Sequence, residues 1–414
     1  MTPAPSRLEA AWLHEGALAR LLALLDRDGE EARVVGGAVR NALLGQPPGD
    51  IDIATTALPQ EVVRRVQAEG FKAVPTGIEH GTVTVVAEGR PFEVTTLRED
   101  VETDGRHARV VFGRDWTRDA ERRDFTMNAL YAGRDGTIHD PVGGLADVAA
   151  RRVRFIGAAE RRIREDYLRI LRFFRFHAAY GEGPPDAAGL HACIMERVGL
   201  DTLSRERVRT EMLKLVLAPH AVPALAVMAE TGLLGMVLGG VPLLASFSNM
   251  TKLEAVLALA PDPVRRLGAL AVAVAEDAQR LRERLRLANA EYERLAAMAH
   301  GWWHVFPSAG EQAARVLLYR LGRERFTDRV LIAWTRASES AADQRWHALA
   351  TLPARWTAPA FPLRAADFIA RGVAKGPALG AALRAAEAAW IAEGFPLSAD
   401  ALEQIATMAM RRPA

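Results

Sequence analysis

The chain has 414 residues, half of them hydrophobic and a quarter charged, with a formal charge of +2 at pH 7. That length suits two to four domains at roughly 100–200 residues each, and the composition is that of an ordinary globular protein. No apolar run approaches the roughly 18 residues of a membrane-spanning helix. Thr2 to Ala11 is polar and Pro-containing, with Glu9, unlike a secretory leader, so the expected compartment is the cytoplasm. Cys193 is the only cysteine, which excludes an internal disulfide and a cysteine zinc cluster; it reads as a small buried apolar residue.

Leu8 to Leu25 has helical spacing and is expected to form an N-terminal helix. Val34-Val35 begins a strand, Gly36-Gly37 makes a tight turn, Ala38 to Leu44 continues as a helix, and Pro47-Pro48-Gly49 breaks the chain before Asp50-Ile51-Asp52-Ile53. Successive side chains of a strand point to opposite faces, so Asp50 and Asp52 project together while Ile51 and Ile53 enter the core. Two carboxylates are thereby offered to one cation. The glycine turn brings N–H groups near phosphate, and the helix that follows offers its positive end. A plain turn and a solvated acid pair are the ordinary alternatives for each half. Their occurrence together within twenty residues points to a nucleoside triphosphate and metal site.

Leu58-Pro59-Gln60-Glu61 opens a helix running to about Glu69. Gly81 to Ala87 and Pro91 to Leu97, separated by Glu88-Gly89-Arg90, read as a hairpin. Glu93 becomes a third carboxylate near the metal if its strand lies beside the Asp50 strand; otherwise it is a hydrogen-bonded strand acid. From Glu99 to Glu121 the chain turns polar, with Gly105 and Gly113, and is expected to be a loop or flap. Arg122-Arg123-Asp124-Phe125 suits either a triphosphate and ribose contact or a helix start with Asp near its N-cap. His139-Asp140 runs into Pro141-Val142-Gly143-Gly144, a turn rather than the ligand helix of a metal-dependent phosphohydrolase.

Between Arg151 and Phe176 nine arginines face Glu160, Glu165 and Asp166, an excess that suits phosphate or a solvated helix face. Arg161 to Tyr180 reads as one long helix. Asp166, Arg169, Arg172 and Arg175 form its polar flank, either ion-paired with one another or exposed to a ligand, and Leu168, Leu171, Phe174 and Ala178 turn inward. A carboxylate acceptor beside an arginine donor matches the pairing edge of cytosine and adenine and mismatches that of guanine and uracil. Ser204 is placed as the N-cap of a bracing helix ending at Ala218-Pro219, with Arg207 and Arg209 available to partners. Residues 220–414 are expected to be all helical, with breaks near Pro242, Pro261-Asp262-Pro263, Pro307 and Pro353. Trp302-Trp303 and Trp390 read as core; Arg315, Arg320, Arg323 and Arg325 either line an RNA-binding face or simply solvate helices.

In this order the motifs resemble the bacterial (class II) CCA-adding tRNA nucleotidyltransferases and their relatives, the bacterial poly(A) polymerases. Gly36-Gly37-Ala38-Val39-Arg40 with Leu43-Leu44-Gly45 and Asp50-Ile51-Asp52-Ile53 resembles the catalytic motif. Phe92 to Arg98 resembles the strand that follows it, Arg122 to Leu130 the ribose motif, and Asp140-Pro141 with Gly143-Gly144 and Asp147 the head-to-neck turn. Glu165-Asp166 with Arg169, Arg172 and Arg175 resembles the nucleotide-templating motif, and Ser204 to Leu217 the neck brace. Asn41 departs from the pattern, standing where many members have Asp.

The resemblance implies an α+β protein: a polymerase-β-like head with a mixed β-sheet in residues 1–150, a helical templating neck in 151–220, and a helical, tRNA-binding body and tail in 221–414. It implies that Asp50 and Asp52 hold catalytic Mg²⁺, that Gly37, Arg40 and Arg123 contact the triphosphate, and that Asp124 contacts the ribose. Asp166 with Arg169 would read the base, and Arg172 and Arg175 complete the pocket. The implied reaction adds C, C and A to tRNA from CTP and ATP. Poly(A) synthesis, a split CC- or A-adding activity and a non-catalytic RNA-binding role are the alternatives; the two carboxylates weigh against the last.

Overall fold

Ala32–Val35 (β1) and Asp52–Thr55 (β2) form the centre of a seven-stranded mixed sheet in the computed structural model, which describes residues 6–104 and 107–411. Val34 and Ile53 are fully buried, which fixes the register, because a slip of one residue would turn both to the other face. Lys72–Gly77 (β3), Thr82–Ala87 (β4) and Arg90–Thr96 (β5) extend the sheet on one side; Tyr131–Gly133, called β8 below, and Ile138–His139 (β9) extend it on the other. The order is β3-β4-β5-β2-β1-β8-β9. β4 and β5 form the expected hairpin, whereas β5 runs parallel to β2 and places Glu93 level with Asp52.

The segment expected as a loop contains regular structure. Arg98–Asp104 (β6) and His107–Phe112 (β7) pair as a separate antiparallel hairpin, and Trp116–Glu121 follows as a helix. The β-branched residues of this stretch carried the strand signal beneath its polar composition. Gly105 lies outside the described residues. The N-terminal helix is also interrupted: Ala11–His14 (α1) and Gly16–Leu25 (α2) are separated by Glu15 in an extended conformation. Further helices of this part are Gly37–Leu43 (α3), Pro59–Ala68 (α4), the Trp116–Glu121 helix (α5), Gly144–Ala149 (α6), Ala159–Glu165 (α7), Leu168–Tyr180 (α8), Ala187–Met195 (α9) and Arg205–Leu217 (α10).

The stretch read as one helix from Arg161 is two, α7 and α8, because Asp166 adopts φ −157°, ψ 105° between them. Its side chain accepts the Leu168 N–H at 3.1 Å, a local bond that competes with continuing the helix. Leu168, Leu171, Phe174 and Ala178 are buried as expected. Phe125 and Phe155 pack with Phe173 and Phe176, anchoring α8 to the segment that carries Arg123 and Asp124. Ser204 precedes α10, but its hydroxyl makes no capping bond and is buried without a partner among the described residues.

The chain divides into two compact units, Met1–Pro242 with Arg284–Arg286, and Leu243–Glu283 with Leu287–Ala414. In the second, every described element is helical. Trp390 is fully buried against Tyr319, Phe361 and Phe395. Trp303, expected in the core, is half exposed, and Trp302 lies under the Arg336 guanidinium. The neighbouring His300, Gly301 and His304 supply no apolar cover for these rings. Arg315 pairs with Glu311 and Arg325 with Glu293, while Arg320 and Arg323 are exposed.

Candidate active site

A cavity of about 640 Å³ opens beside the carboxyl-bearing end of β2. It is lined by all ten residues expected at the site: Gly37, Arg40, Asp50, Asp52, Arg123, Asp124, Asp166, Arg169, Arg172 and Arg175. Gly36 takes φ +73° to turn the chain from β1 into α3, and an added Cβ there would meet the Asn128 carbonyl and the Arg123 guanidinium at 3.5 and 3.7 Å. The positive φ would strain any side chain here, although its Cβ would sit at ordinary contact distance from both groups. Asp50 lies just before β2 and Asp52 is its first residue; both are exposed, whereas Ile53 is buried and Ile51 half-buried.

Although Asp52 as a whole residue is exposed, partial desolvation of its carboxyl among the surrounding protein atoms pushes it up to about 6, with Glu93 and Asp50 adding to the rise and Arg123 opposing it. Negative charge is therefore undercompensated at this edge, which is the electrostatic condition for a bound cation. Among the described residues no three acidic, histidine or cysteine side chains form a ready-made cation cage. Glu93 does not line the cavity and acts on Asp52 through space. Two hard oxygen donors suit a divalent cation that prefers oxygen ligands.

A chain of polar contacts forms the opposite wall. Arg40, almost fully buried, donates to Asn128, to Asn41 Oδ1 at 2.8 Å and to the Tyr180 hydroxyl at 2.8 Å; its guanidinium lies 3.8 Å from the Tyr180 ring centroid. Asn41, the departure noted in the sequence, thus orients Arg40. Asn128 donates to Asp124 at 3.0 Å, and Asp124 accepts two bonds from Arg172 at 2.5 and 2.8 Å. Burial pushes the Asp124 carboxyl up, but Arg172, Asn128 and the Phe125 N–H outweigh it and hold the group below its usual range. Arg175 pairs with the buried Glu211, and Arg123 pairs with the buried Asp119 at 3.1 Å. Burial opposes the Arg123 charge, yet Asp119 and Tyr131 leave its pKa raised.

Asp166 and Arg169 are each held by other residues. Arg207 of α10 donates to Asp166 Oδ2 at 2.6 Å, so Arg207 is not left for partners; Arg169 donates to Glu165 at 2.7 Å and to the Arg162 carbonyl at 2.6 Å. Arg209 likewise donates within its own unit, to the Arg286 carbonyl at 3.1 Å. The polar flank is not a ladder of mutual i,i+3 pairs, because each member finds an acceptor or donor on another segment. Tyr180 and Asn128 line the cavity, and Arg162 and Arg207 contact residues that line it; sequence reasoning missed these four or assigned them elsewhere. Asn128 stood inside the Arg122 to Leu130 motif; Tyr180 meets Arg40 and Arg207 meets Asp166 far apart in sequence, and Arg162 reaches the distant Arg122 and Arg123 carbonyls as well as the nearby Arg169.

A glycine turn, an acidic strand edge and an arginine-lined wall define the class, a metal-assisted nucleotidyltransferase. Residues 32–154 match the poly A polymerase head domain and residues 196–247 the probable RNA- and SrmB-binding site of polymerase A. The human mitochondrial CCA tRNA nucleotidyltransferase 1 is 34% identical over 93% of this chain and 88% of its own length. The CCA-adding enzyme of Geobacillus thermodenitrificans is 46% identical over 50% of this chain and 51% of its own. The Bacillus stearothermophilus CCA-adding enzyme, solved in complex with CTP, aligns with a TM-score of 0.73 at 30% identity, over 91% of this chain and 92% of that one. The chain belongs to the CCA-adding tRNA nucleotidyltransferase and poly(A) polymerase family.

Proposed function

We propose that this protein adds C, C and A in turn to the 3′ end of tRNA, using CTP and ATP and releasing pyrophosphate. The observation that carries this reading is the shared cavity: Asp166 and Arg169, each fixed by partners outside the pair, line the same space as Asp50 and Asp52. A carboxylate acceptor and a guanidinium donor suit the edge of cytosine or adenine, and guanine or uracil would set donor against donor and acceptor against acceptor.

Asp50 and Asp52 hold a divalent ion, proposed as Mg²⁺. Bound there, that ion supplies Lewis acidity, lowering the pKa of the attacking 3′ hydroxyl and neutralising charge on the departing pyrophosphate. The chain's own residues supply alignment and charge. Gly37, Arg40 and Arg123 take the triphosphate, and Asp124, oriented by Arg172 and Asn128, takes the ribose. Arg172 and Arg175 close the wall behind the base. Holding donor and acceptor in line accounts for most of the acceleration expected in a phosphoryl-type transfer. On this reading residues 1–150 are the catalytic head, 151–220 the neck that reads the base, and 221–414 the body and tail that hold tRNA. The cytoplasm is the proposed compartment; among the described residues no helix is long and apolar enough to cross a membrane.

The test is incubation of the purified protein and Mg²⁺ with tRNA lacking its 3′ CCA, with CTP, ATP or both. Addition of three residues only when both are present is expected. A long ladder with ATP alone would reassign the chain to poly(A) synthesis, and a stop after two C residues or a requirement for a CC end would identify a split activity.

A further inference from the structure

A second cavity, of about 530 Å³, is lined by residues of the same unit as the first, among them Glu121, which precedes Arg122 and Arg123. None of the residues expected at the catalytic site lines it. Pro141, Val142 and Ile156 give it an apolar wall, and Arg154, Arg161 and Arg162 bring three guanidinium groups to it.

Their charges are incompletely matched. Arg154 shares the buried Asp147 with Arg152, and Arg161 and Arg162 share Glu165 with Arg169. Five arginines therefore draw on two carboxylates. Glu121 also lines the cavity and is exposed. Arg161 is 83% exposed and its contact with Glu165 is long, at 3.6 Å. Arg162 is buried, its Nε has no acceptor among the described residues, and burial together with Arg169 lowers its pKa. An anion would relieve this excess through charge-assisted hydrogen bonds. An apolar wall suits a flat ring, and a carboxylate near it suits an exocyclic amino group.

We propose that this cavity is a second nucleotide site, taking a nucleoside monophosphate with its phosphate on the arginines and an amino-bearing base against the apolar wall and Glu121. Its volume falls within the roughly 300–1,000 Å³ of small-ligand pockets. The site is linked to the catalytic pocket at several points, among them the Ile156 N–H, which donates to the Asp124 carbonyl at 3.1 Å, and above all Arg162. Arg162 donates to the main-chain carbonyls of Arg122 and Arg123, and its own carbonyl accepts from Arg169. A ligand against Arg162 therefore meets the side chain that fixes both the triphosphate-binding segment and one half of the base-reading pair.

The test is calorimetric titration of the full-length protein with AMP, comparing the number of equivalents bound. Val142→Trp, which sets an indole against the apolar wall where the base would lie, is expected to bind one equivalent fewer than the unsubstituted protein. Arg161→Glu should weaken that equivalent by about tenfold or more. Val142→Trp is expected to add CCA at an unchanged rate when AMP is absent, which separates this site from the catalytic reading on which it does not depend. Equal stoichiometry and affinity in all three proteins would overturn the proposal, and the Arg161→Glu protein decides the matter if Val142→Trp folds poorly.

Discussion

Arg207 Nη2 lies 2.6 Å from Asp166 Oδ2, joining the bracing helix to the acceptor half of the proposed base-reading pair. Asp166 sits in the break between two helices, where the backbone alone leaves its side chain several rotamers. A guanidinium on a separate helix selects one of them. Arg207→Ala is expected to lower kcat/KM for CTP and ATP by about tenfold, since the contact is charge-assisted but partly solvated. It should also admit GTP and UTP more readily. Single-nucleotide incorporation with each of the four triphosphates checks this, and unchanged discrimination would remove Arg207 from the recognition apparatus.

At the other side of the cavity, Asp52 is crowded by Glu93 and Asp50 and opposed by Arg123. Asp52→Asn removes the charge while preserving shape. Addition should fall by about a thousandfold or more, the equivalent of several kcal/mol of metal-assisted charge stabilisation. The circular dichroism spectrum and tRNA affinity should be close to unchanged. Normal turnover by a well-folded Asp52→Asn protein would sink the catalytic assignment.

The sequence carried the local parts of this site and not their attachments. Alternation placed Asp50 and Asp52 on one side because Ile53 must be buried, and the glycine pair marked the turn because Gly36 needs a positive φ. The parallel pairing that sets Glu93 level with Asp52 depends on a crossover, and no pattern within either strand specifies it. The break at Asp166 was hidden by helix-favouring neighbours on both sides, and only the side-chain bond to the Leu168 N–H exposes it. The hairpin after Arg98 was hidden for a different reason: its polar composition masked the β-branched residues that pair across it. Arg207 looked like a free cation because its partner lies forty-one positions earlier in the chain.

Gly199 offers a way to move the proposed base-reading pair without touching it. A Cβ at this position would come within 1.9 Å of the Tyr167 ring, and Tyr167 is the residue after Asp166. The ring has to shift if Gly199 becomes Ala. Overpacking of this kind costs about 1–3 kcal/mol, and the displacement is expected to raise KM for both nucleotides. Thermal unfolding combined with steady-state kinetics checks both effects; a Gly199→Ala protein that matches the original in Tm and KM would show that the ring has room to move.

In the second unit, stability should depend on a buried ionic cluster. Glu254 accepts from Arg265 at 3.0 Å and Arg266 at 2.7 Å, while Asp328 accepts from Arg265 and from Arg294. Glu254 is 1% exposed. Glu254→Ala leaves two guanidinium groups short of an acceptor in a region that water does not reach. The expected loss is about 3–5 kcal/mol, far above that of a surface pair. Urea unfolding followed in the described unit by its tryptophans, Trp334 and Trp346 among them, measures it, and a change below about 1 kcal/mol would mean that the cluster repacks.

His177, buried on α8, sets an acid limit to stability. Burial lowers its pKa from the ordinary 6.5, and the nearby His220 lowers it further. The folded state thus favours the neutral ring more than the unfolded chain does. The stability contributed by this difference is complete above the unfolded value of about 6.5 and is lost as pH falls toward and through the depressed folded value. Unfolding free energy is therefore expected to decline between pH 7 and pH 5. His177→Gln should flatten part of that decline, because the variant has no proton to take up at this position. Urea titrations at half-unit pH steps give the difference directly, and parallel curves for the two proteins would assign the acid sensitivity to other groups.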